Sequence, residues 1–381
     1  MQLNRRNLIG SGLALAAAGS PLRALAGDGK MFVNSIAVED GRVWIAAKIG
    51  DKGPFYFIVD TGAHMSLIDD AFAKSLGLQK MPGRQAIGIG GVSDYSWYNA
   101  GTVVLASGIR FPDMLFAGMR QRPSKDAVGT FGAGLFTTYD SDLDFVAGEW
   151  RAYPGGRPNF NGLTRIKSRF TDPRGGQRII ADATLDGFEG DFLLDTGAPG
   201  EVSLYGRAAS KSGLWNDSQP YAPSYGRGIG KGSVPGRLVR GKQLKMGPVA
   251  FDRPLVRISE PGTPGADHDG IIGLRTLARL QLTTQVSANA VWIKPNDEPA
   301  PQPNYPLSGL WLDEDRGRIV VVDVGTGSPA KAAGLSKGDV VIGSFDTLMK
   351  TINGRPGKQV TLTIERGGVR KDVGYTLAPW F

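Results

Sequence analysis

The 381-residue sequence has no cysteine. That excludes disulfides, thiolate metal sites and cysteine nucleophiles. It has only two histidines, His64 and His268. A multi-histidine metal centre is not expected, and a Ser-His-Asp triad would have to draw its base from one of these two. The expectation is chemistry with no metal and no cofactor. The N-terminal apolar stretch "LIGSGLALAAAG" is too short to span a bilayer comfortably. Clustered charge is also scarce. The formal net charge is +8, yet Lys and Arg are scattered along the chain. A basic patch for nucleic acid or anionic lipid is therefore disfavoured. The densest run, "RGIGKGSVPGRLVRGKQLK" at 227–245, reads as a solvated hairpin.

What is present is an ordinary globular composition, 41% hydrophobic and 21% charged. The 55 glycines and 24 prolines punctuate many short apolar runs, which points to a mainly β fold rich in turns. Length alone suggests two to three domains. Residues 1–26 have the order of a cleaved export signal. Arg5 and Arg6 come first, then the apolar stretch, then "ALA" at Ala24–Ala26. "NRRNLIG" is similar to a twin-arginine signal. The segment holds three arginines and no acid, so its removal would leave a charge of +5. The expected location is periplasmic or secreted.

Internal repetition is the strongest signal. "VWIAAKIGDKGPFYFIVDTGA" ends at Ala63 and "IIADATLDGFEGDFLLDTGA" ends at Ala198. Each reads as two strands joined at a Gly-containing turn, closing on Asp-Thr-Gly. Gly88-Ile89-Gly90 follows the first Asp by 28 positions, and Gly228-Ile229-Gly230 follows the second by 33. Both triplets read as hairpin tips. "TFG", ending at Gly132, and "IIG", ending at Gly273, follow their Asp by 72 and 78 positions. "YPGGRPNFNG" at 153–162 connects the halves. "PNDEPAPQPN", 295–304, is a Pro-rich linker to a small C-terminal unit.

A single Asp-Thr-Gly is explained by a turn in which Asp caps an amide and Gly takes positive φ. Two copies with matching surroundings ask for more. Two carboxylates held together cannot both ionise, so they share one proton and act as base and acid at one pH. The base takes a proton from water. The acid polarises a carbonyl and later serves the leaving nitrogen. Asp60 and Asp195 are the candidate pair. The hydroxyls of Thr61 and Thr196 are placed to bond across to the opposite loop. Gly62 and Gly197 allow close backbone approach.

These residues resemble the retropepsin-type aspartic proteases over roughly 30–294. "VDTGA" and "LDTGA" match the active-site loops, which include Ala63 and Ala198. The resemblance implies two tandem β-barrel lobes, at 27–155 and 156–294. It implies that Asp60 and Asp195 are catalytic, and that Thr61 and Thr196 grip each other. Gly88, Ile89 and Gly90, and Gly228, Ile229 and Gly230, would be flap tips. Substrate would be an extended peptide. His64 and Pro199 follow the loops where a small polar residue is usual, and Thr130 stands where an aliphatic residue is usual.

Residues 305–381 resemble a bacterial PDZ domain, a small α+β unit. "GSPAKAAGLSKGDVVIGS" carries the likeness. Ser328 and Pro329 open one helix, and "FDTLMKTI", 345–352, forms another beside a peptide groove. Ser308, Gly309, Leu310 and Trp311 would be the carboxylate-binding loop, and a C-terminal peptide would add as a strand. The expectation is thus a monomeric, exported aspartic endopeptidase with a C-terminal PDZ domain. One rival is an inactive peptide-binding protein of the same fold, distinguished by failure to cleave denatured protein. A nucleic-acid or envelope-binding module is a second, with salt-sensitive binding as its mark.

Overall fold

A computed structural model describes residues 5, 8, 31–88, 91–171, 177–227, 233–263, 265–302 and 304–381. The chain opens with β1 (Phe32–Ser35), β2 (Ala37–Glu39) and the hairpin of β3 (Arg42–Ile49) and β4 (Lys52–Asp60). β5 (Leu67–Asp69) runs into α1 (Asp70–Ser75), where the Asp69 carboxylate accepts the Phe72 N–H at 2.8 Å. A long hairpin follows, β6 (Gln79–Gly88) and β7 (Gly91–Asn99). Then come β8 (Val103–Leu105), β9 (Arg110–Phe111), β10 (Leu115–Met119) and β11 (Gly129–Gly132). α2 (Gly134–Thr137), β12 (Asp140–Asp144) and β13 (Glu149–Tyr153) complete the first half.

The second half repeats this plan. β14 (Thr164–Ile166) and β15 (Ser168–Phe170) precede the hairpin of β16 (Ile179–Leu185) and β17 (Phe188–Asp195). That hairpin turns at Asp186 and Gly187, both at positive φ (51° and 88°), a conformation Asp tolerates and Gly favours. β18 (Val202–Leu204), α3 (Gly206–Ser212), β19 (Ala222–Arg227) and β20 (Ser233–Arg240) follow. Next are β21 (Gln243–Met246), β22 (Val249–Asp252), β23 (Leu255–Ser259) and β24 (Gly270–Gly273). α4 (Leu274–Leu277), β25 (Leu280–Gln285) and β26 (Ala290–Pro295) end it.

The duplication is visible in the sheets. One sheet runs β6-β7-β10-β5-β11-β4-β3-β8-β9, and the other β19-β20-β23-β18-β24-β17-β16-β21-β22. The two orders match position for position. A third sheet, β1-β13-β12-β25-β26-β14, takes three strands from each half and joins them where β12 pairs antiparallel with β25. Asp142 lies at this seam, 1% exposed. It accepts bonds from Tyr153 Oη at 2.8 Å, Arg157 Nε at 2.9 Å and Thr283 Oγ1 at 2.7 Å. A buried carboxylate is tolerated when it is bonded in this way.

Each lobe is filled by the alternate faces of its strands. Val43, Ile45 and Ala47 of β3 point into the main core, where Phe57, Phe116 and Phe131 are fully buried. Phe57 and Phe131 stack at 4.3 Å directly behind the first Asp-Thr-Gly. Trp44 and Ala46 face the other way and pack with Ala37, Ile58, Ala127 and Leu8. Arg5 lies over the Trp44 ring at 5.2 Å and pairs with Asp126 at 3.1 Å.

The C-terminal module is a five-stranded sheet in chain order: β27 (Leu310–Asp315), β28 (Arg318–Val324), β29 (Val340–Val341), β30 (Gln359–Arg366) and β31 (Val369–Thr376). α5 (Pro329–Ala332) is capped by Ser328, and α6 (Phe345–Ile352) buries Leu348 and Ile352 on a core of its own. This core includes Leu310, Leu312, Val321 and Ile364, so the module has the apolar centre of a separate unit. It nevertheless packs on the second lobe, where Tyr225 stacks on Trp311 at 4.0 Å.

Candidate active site

Asp60 ends β4 and Asp195 ends β17. Each is held by a neighbouring strand in parallel register, Asp60 opposite Gly132 and Asp195 opposite Gly273. Those two glycines brace the loops. A Cβ on Gly132 would lie 2.9 Å from the Ala63 carbonyl oxygen, and one on Gly273 would lie 2.4 Å from that of Gly200. The Gly132 N–H donates to Ser66 Oγ at 3.0 Å, and the Gly273 N–H to the Glu201 carbonyl at 2.8 Å. Side-chain size and backbone donors therefore both fix the turn that follows each Asp.

The two loops interlock through their threonines. Thr61 Oγ1 donates to the Leu194 carbonyl at 2.7 Å and accepts the Thr196 N–H at 3.0 Å. Thr196 Oγ1 donates to the Val59 carbonyl at 2.8 Å and accepts the Thr61 N–H at 3.1 Å. Both threonines are 0% exposed. The carboxyls meet as a result. A Cβ on Gly62 would fall 2.3 Å from Asp195 Cγ, and one on Gly197 would fall 2.5 Å from Asp60 Cγ. Asp60 and Asp195 hydrogen-bond each other. Each carboxyl is held rigid against its twin at the end of an otherwise apolar strand.

Their environments are not equal. Burial pushes the Asp60 carboxyl up to about 7, aided by the charge of Asp195 and the hydrogen bond to it. Burial also raises Asp195. There, however, backbone donors favour the anion: Asp195 Oδ1 accepts the Gly197 N–H at 2.7 Å and the Ala198 N–H at 3.2 Å. Asp60 Oδ1 accepts the Gly62 N–H at 3.1 Å. Two carboxyls this close share a single proton, and the backbone donors around Asp195 favour the anion on its side of the pair. Such a pair can polarise a carbonyl from one side and deprotonate a water from the other.

Several residues at this site left no motif in the sequence. Arg42 Nη1 donates to the Gly197 carbonyl at 3.1 Å, tying the first lobe to the second loop. Its counterpart by strand register is Arg178, which directly precedes the second repeat as Arg42 precedes the first, so the duplication marks the position although no motif does. Tyr205 and His268 pack with ring centres 5.3 Å apart and both feel the charge of Asp195. Burial lowers the His268 pKa, against a 2.8 Å contact with Asp267 Oδ1 that raises it. His64 and Pro199 are exposed beside their loops. Thr130 is buried in β11, with Oγ1 lacking a hydrogen bond, where an aliphatic side chain would leave no polar atom.

Of the expected flap tips, Gly88 pairs with Gly91 at the end of the β6–β7 hairpin. Ile89, Gly90, Gly228, Ile229 and Gly230 lie outside the described residues. β19 and β20 pair up to Arg227 opposite Ser233. In the C-terminal module, Ser308 is buried and its hydroxyl bonds Tyr375 Oη at 2.7 Å. The Gly309 N–H already donates to the Pro306 carbonyl at 3.1 Å, and Leu310 and Trp311 belong to β27.

A family model described as "Aspartyl protease" matches residues 45–130 and 181–276, from β3 to β11 and from β16 to α4. The chain has an aspartic protease fold in two tandem lobes. Solved structures with a similar trace include the aspartic proteinase from Irpex lacteus, at 11% identity and a TM-score of 0.47, covering 70% of this chain and 98% of that one. Basic 7S globulin from soybean is similar at 10% identity and a TM-score of 0.41, covering 70% and 95%. Conglutin gamma from lupine seeds is similar at 11% identity and 0.41, with the same coverages. No curated protein matches the sequence.

Proposed function

We propose that the chain is an exported aspartic endopeptidase whose two lobes, 27–155 and 156–294, form one complete active site in a monomer. The observation that carries this reading is the apposition of Asp60 and Asp195, each packed against the other loop's glycine. In the reaction, Asp195 takes a proton from a water as its oxygen attacks the peptide carbonyl carbon. Asp60 gives its proton to the carbonyl oxygen, leaving a neutral gem-diol. Asp60 then recovers a proton from that diol while Asp195 protonates the nitrogen and the C–N bond breaks. The pair ends in its starting state, and no covalent intermediate forms.

Residues 305–381 we read as a PDZ domain joined through 295–304, with β27, at the edge of its sheet, as the strand a peptide would pair with and α6 as the helix flanking the groove. The 1–26 segment we read as an export signal, which places the enzyme in the periplasm or outside the cell. The rival is a peptide-binding protein of the same fold without activity. Cleavage of denatured protein by the purified chain separates them. The enzyme cleaves, is blocked by a hydroxyl-bearing peptide analogue of the tetrahedral intermediate, and loses all activity as Asp60→Asn or Asp195→Asn. Wild-type protein that binds the analogue but cleaves nothing would establish the rival.

A further inference from the structure

β19 lies at the outer edge of the second-lobe sheet, and among the described residues its hairpin with β20 is sheet-bonded only through β23. An edge of this kind needs a cover or a support. The C-terminal module supplies one at three places. Tyr221, just before β19, donates its hydroxyl to Asp323 Oδ1 of β28 at 2.9 Å and its N–H to the Thr326 carbonyl at 3.3 Å. Gly325 comes so close that a Cβ there would lie 2.0 Å from the Tyr221 carbonyl oxygen. Further along β19, Tyr225 stacks on Trp311 at 4.0 Å and 29°. The other hairpin strand is drawn in through Arg237 of β20. Its guanidinium sits 4.0 Å from the Tyr221 ring centre and 4.2 Å from that of Trp215, and it pairs with Asp217 at 2.7 Å. Thr326 Oγ1 closes the network by donating to the Asp217 carbonyl at 3.2 Å.

We propose that Trp311 and Asp323 are positioning residues for the second-lobe hairpin, so that the C-terminal module is part of the framework of the peptide cleft. Trp311 acts through Tyr225, and Asp323 acts through Tyr221 and the Arg237 stack behind it. Neither touches the dyad. The proposal rests on the protease reading only for its effect on turnover. The structural effect, a looser β19–β20 hairpin, is independent of it.

The test compares full-length wild type with Trp311→Ala, Trp311→Phe and Asp323→Asn, by amide hydrogen exchange and by steady-state cleavage of a peptide. In Trp311→Ala, exchange in β19 and β20 rises about tenfold while β6 and β7 keep wild-type rates. KM rises about tenfold at nearly unchanged kcat, because substrate contacts and not the dyad are disturbed. Trp311→Phe keeps a ring for Tyr225 and restores both, and Asp323→Asn gives a smaller change of the same kind. Unchanged exchange in β19 and β20 overturns the proposal, as does an equal rise in β6 and β7, which marks general destabilisation. A hairpin-specific exchange response in a protein that cleaves nothing leaves the brace standing and removes the protease reading. Cleavage by a wild type whose hairpin ignores Trp311→Ala does the reverse.

Discussion

Thr61 and Thr196 exchange hydrogen bonds across the lobe interface, each hydroxyl accepting the other's N–H and donating to the carbonyl just before the other's Asp. Four bonds in a fully buried setting make this a network in which one deletion strands two partners. Thr61→Val keeps the shape and removes the hydroxyl. The Thr196 N–H and the Leu194 carbonyl then lose their partner without access to water. Each such group costs about 1–3 kcal/mol, so the two together give an expected loss of about 2–6 kcal/mol in urea unfolding. Thr61→Ser retains the hydroxyl and loses only a methyl, so it remains within about 1.5 kcal/mol of wild type. Comparable stability in Thr61→Val and wild type would contradict the network.

Gly62 is the tightest point of the site. Its missing Cβ would overlap the Asp195 carboxyl at 2.3 Å from Cγ and 2.5 Å from both oxygens. Gly62→Ala must therefore push Asp195 away from Asp60 and abolish cleavage. Gly200, in the second loop, has no atom within 4 Å of where its Cβ would be. Gly200→Ala is the matched control and keeps wild-type kcat. Activity in Gly62→Ala near that of the control would rule out the interlocked arrangement.

The dyad, the braces and the lobes were readable from the chain because each depends on local patterns that occur twice. An apolar strand ending in Asp-Thr-Gly-Ala and a later Gly after two core residues survive as strings. The helix at Pro329–Ala332 is readable for a similar reason, since Ser328 and Pro329 adjoin it. What the string does not contain is the meeting of distant side chains. Arg42 reaches the Gly197 carbonyl from 155 residues away. The pairing of β12 with β25 joins the lobes through residues that carry no motif. Trp311, read as part of a carboxylate-binding loop, stacks on Tyr225 of the second lobe. That contact depends on how two units dock, and no local propensity encodes it.

Stability should report the proton on Asp60. Its folded pKa of about 7 stands well above the value near 3.9 of an unfolded Asp. Below about pH 4 both states are protonated and the group contributes nothing. As pH rises from about 4 to about 7, the unfolded chain releases its proton and the folded one keeps it, so stability falls across that window and levels off above it. Asp60→Asn removes the titration. In denaturant unfolding against pH, the variant should lose less stability between pH 4 and 7 than wild type. Parallel curves would show that Asp60 is not the raised group.

Processing at Ala26 would remove Arg5 and Leu8, which lie on the first lobe. Leu8 is 3% exposed against Trp44, and Arg5 pairs with Glu39, Asp40 and Asp126. Mass spectrometry of exported protein should find an N-terminus near Gly27. Its tryptophan emission should shift to the red relative to the full-length chain as Trp44 gains water. An intact Met1 in the exported fraction would refute the processing.

The pH profile of cleavage follows from the same pair. The competent state has one proton on the two carboxyls, so activity is bell-shaped and both limbs belong to the pair. The upper limb is loss of the proton the pair shares, which burial and the facing charge hold up to about 7 on the Asp60 side, so the optimum is mildly acidic. The lower limb is protonation of Asp195, whose anion is favoured by the Gly197 and Ala198 N–H groups and opposed by burial. Both loops continue with an alanine, Ala63 and Ala198, which offers a methyl where a hydroxyl would bond the carboxylate. Ala198→Ser adds such a donor, favours the charged form and moves the acidic limb to lower pH. Ala63→Ser does the same on the Asp60 side and draws the upper limb down from about 7. His64 is exposed beside Ala63, and His64→Gln tests whether its charge shapes the upper limb. A strongly acidic wild-type optimum, or serine variants with unmoved limbs, would show that the alanines do not set the proton affinity of this dyad.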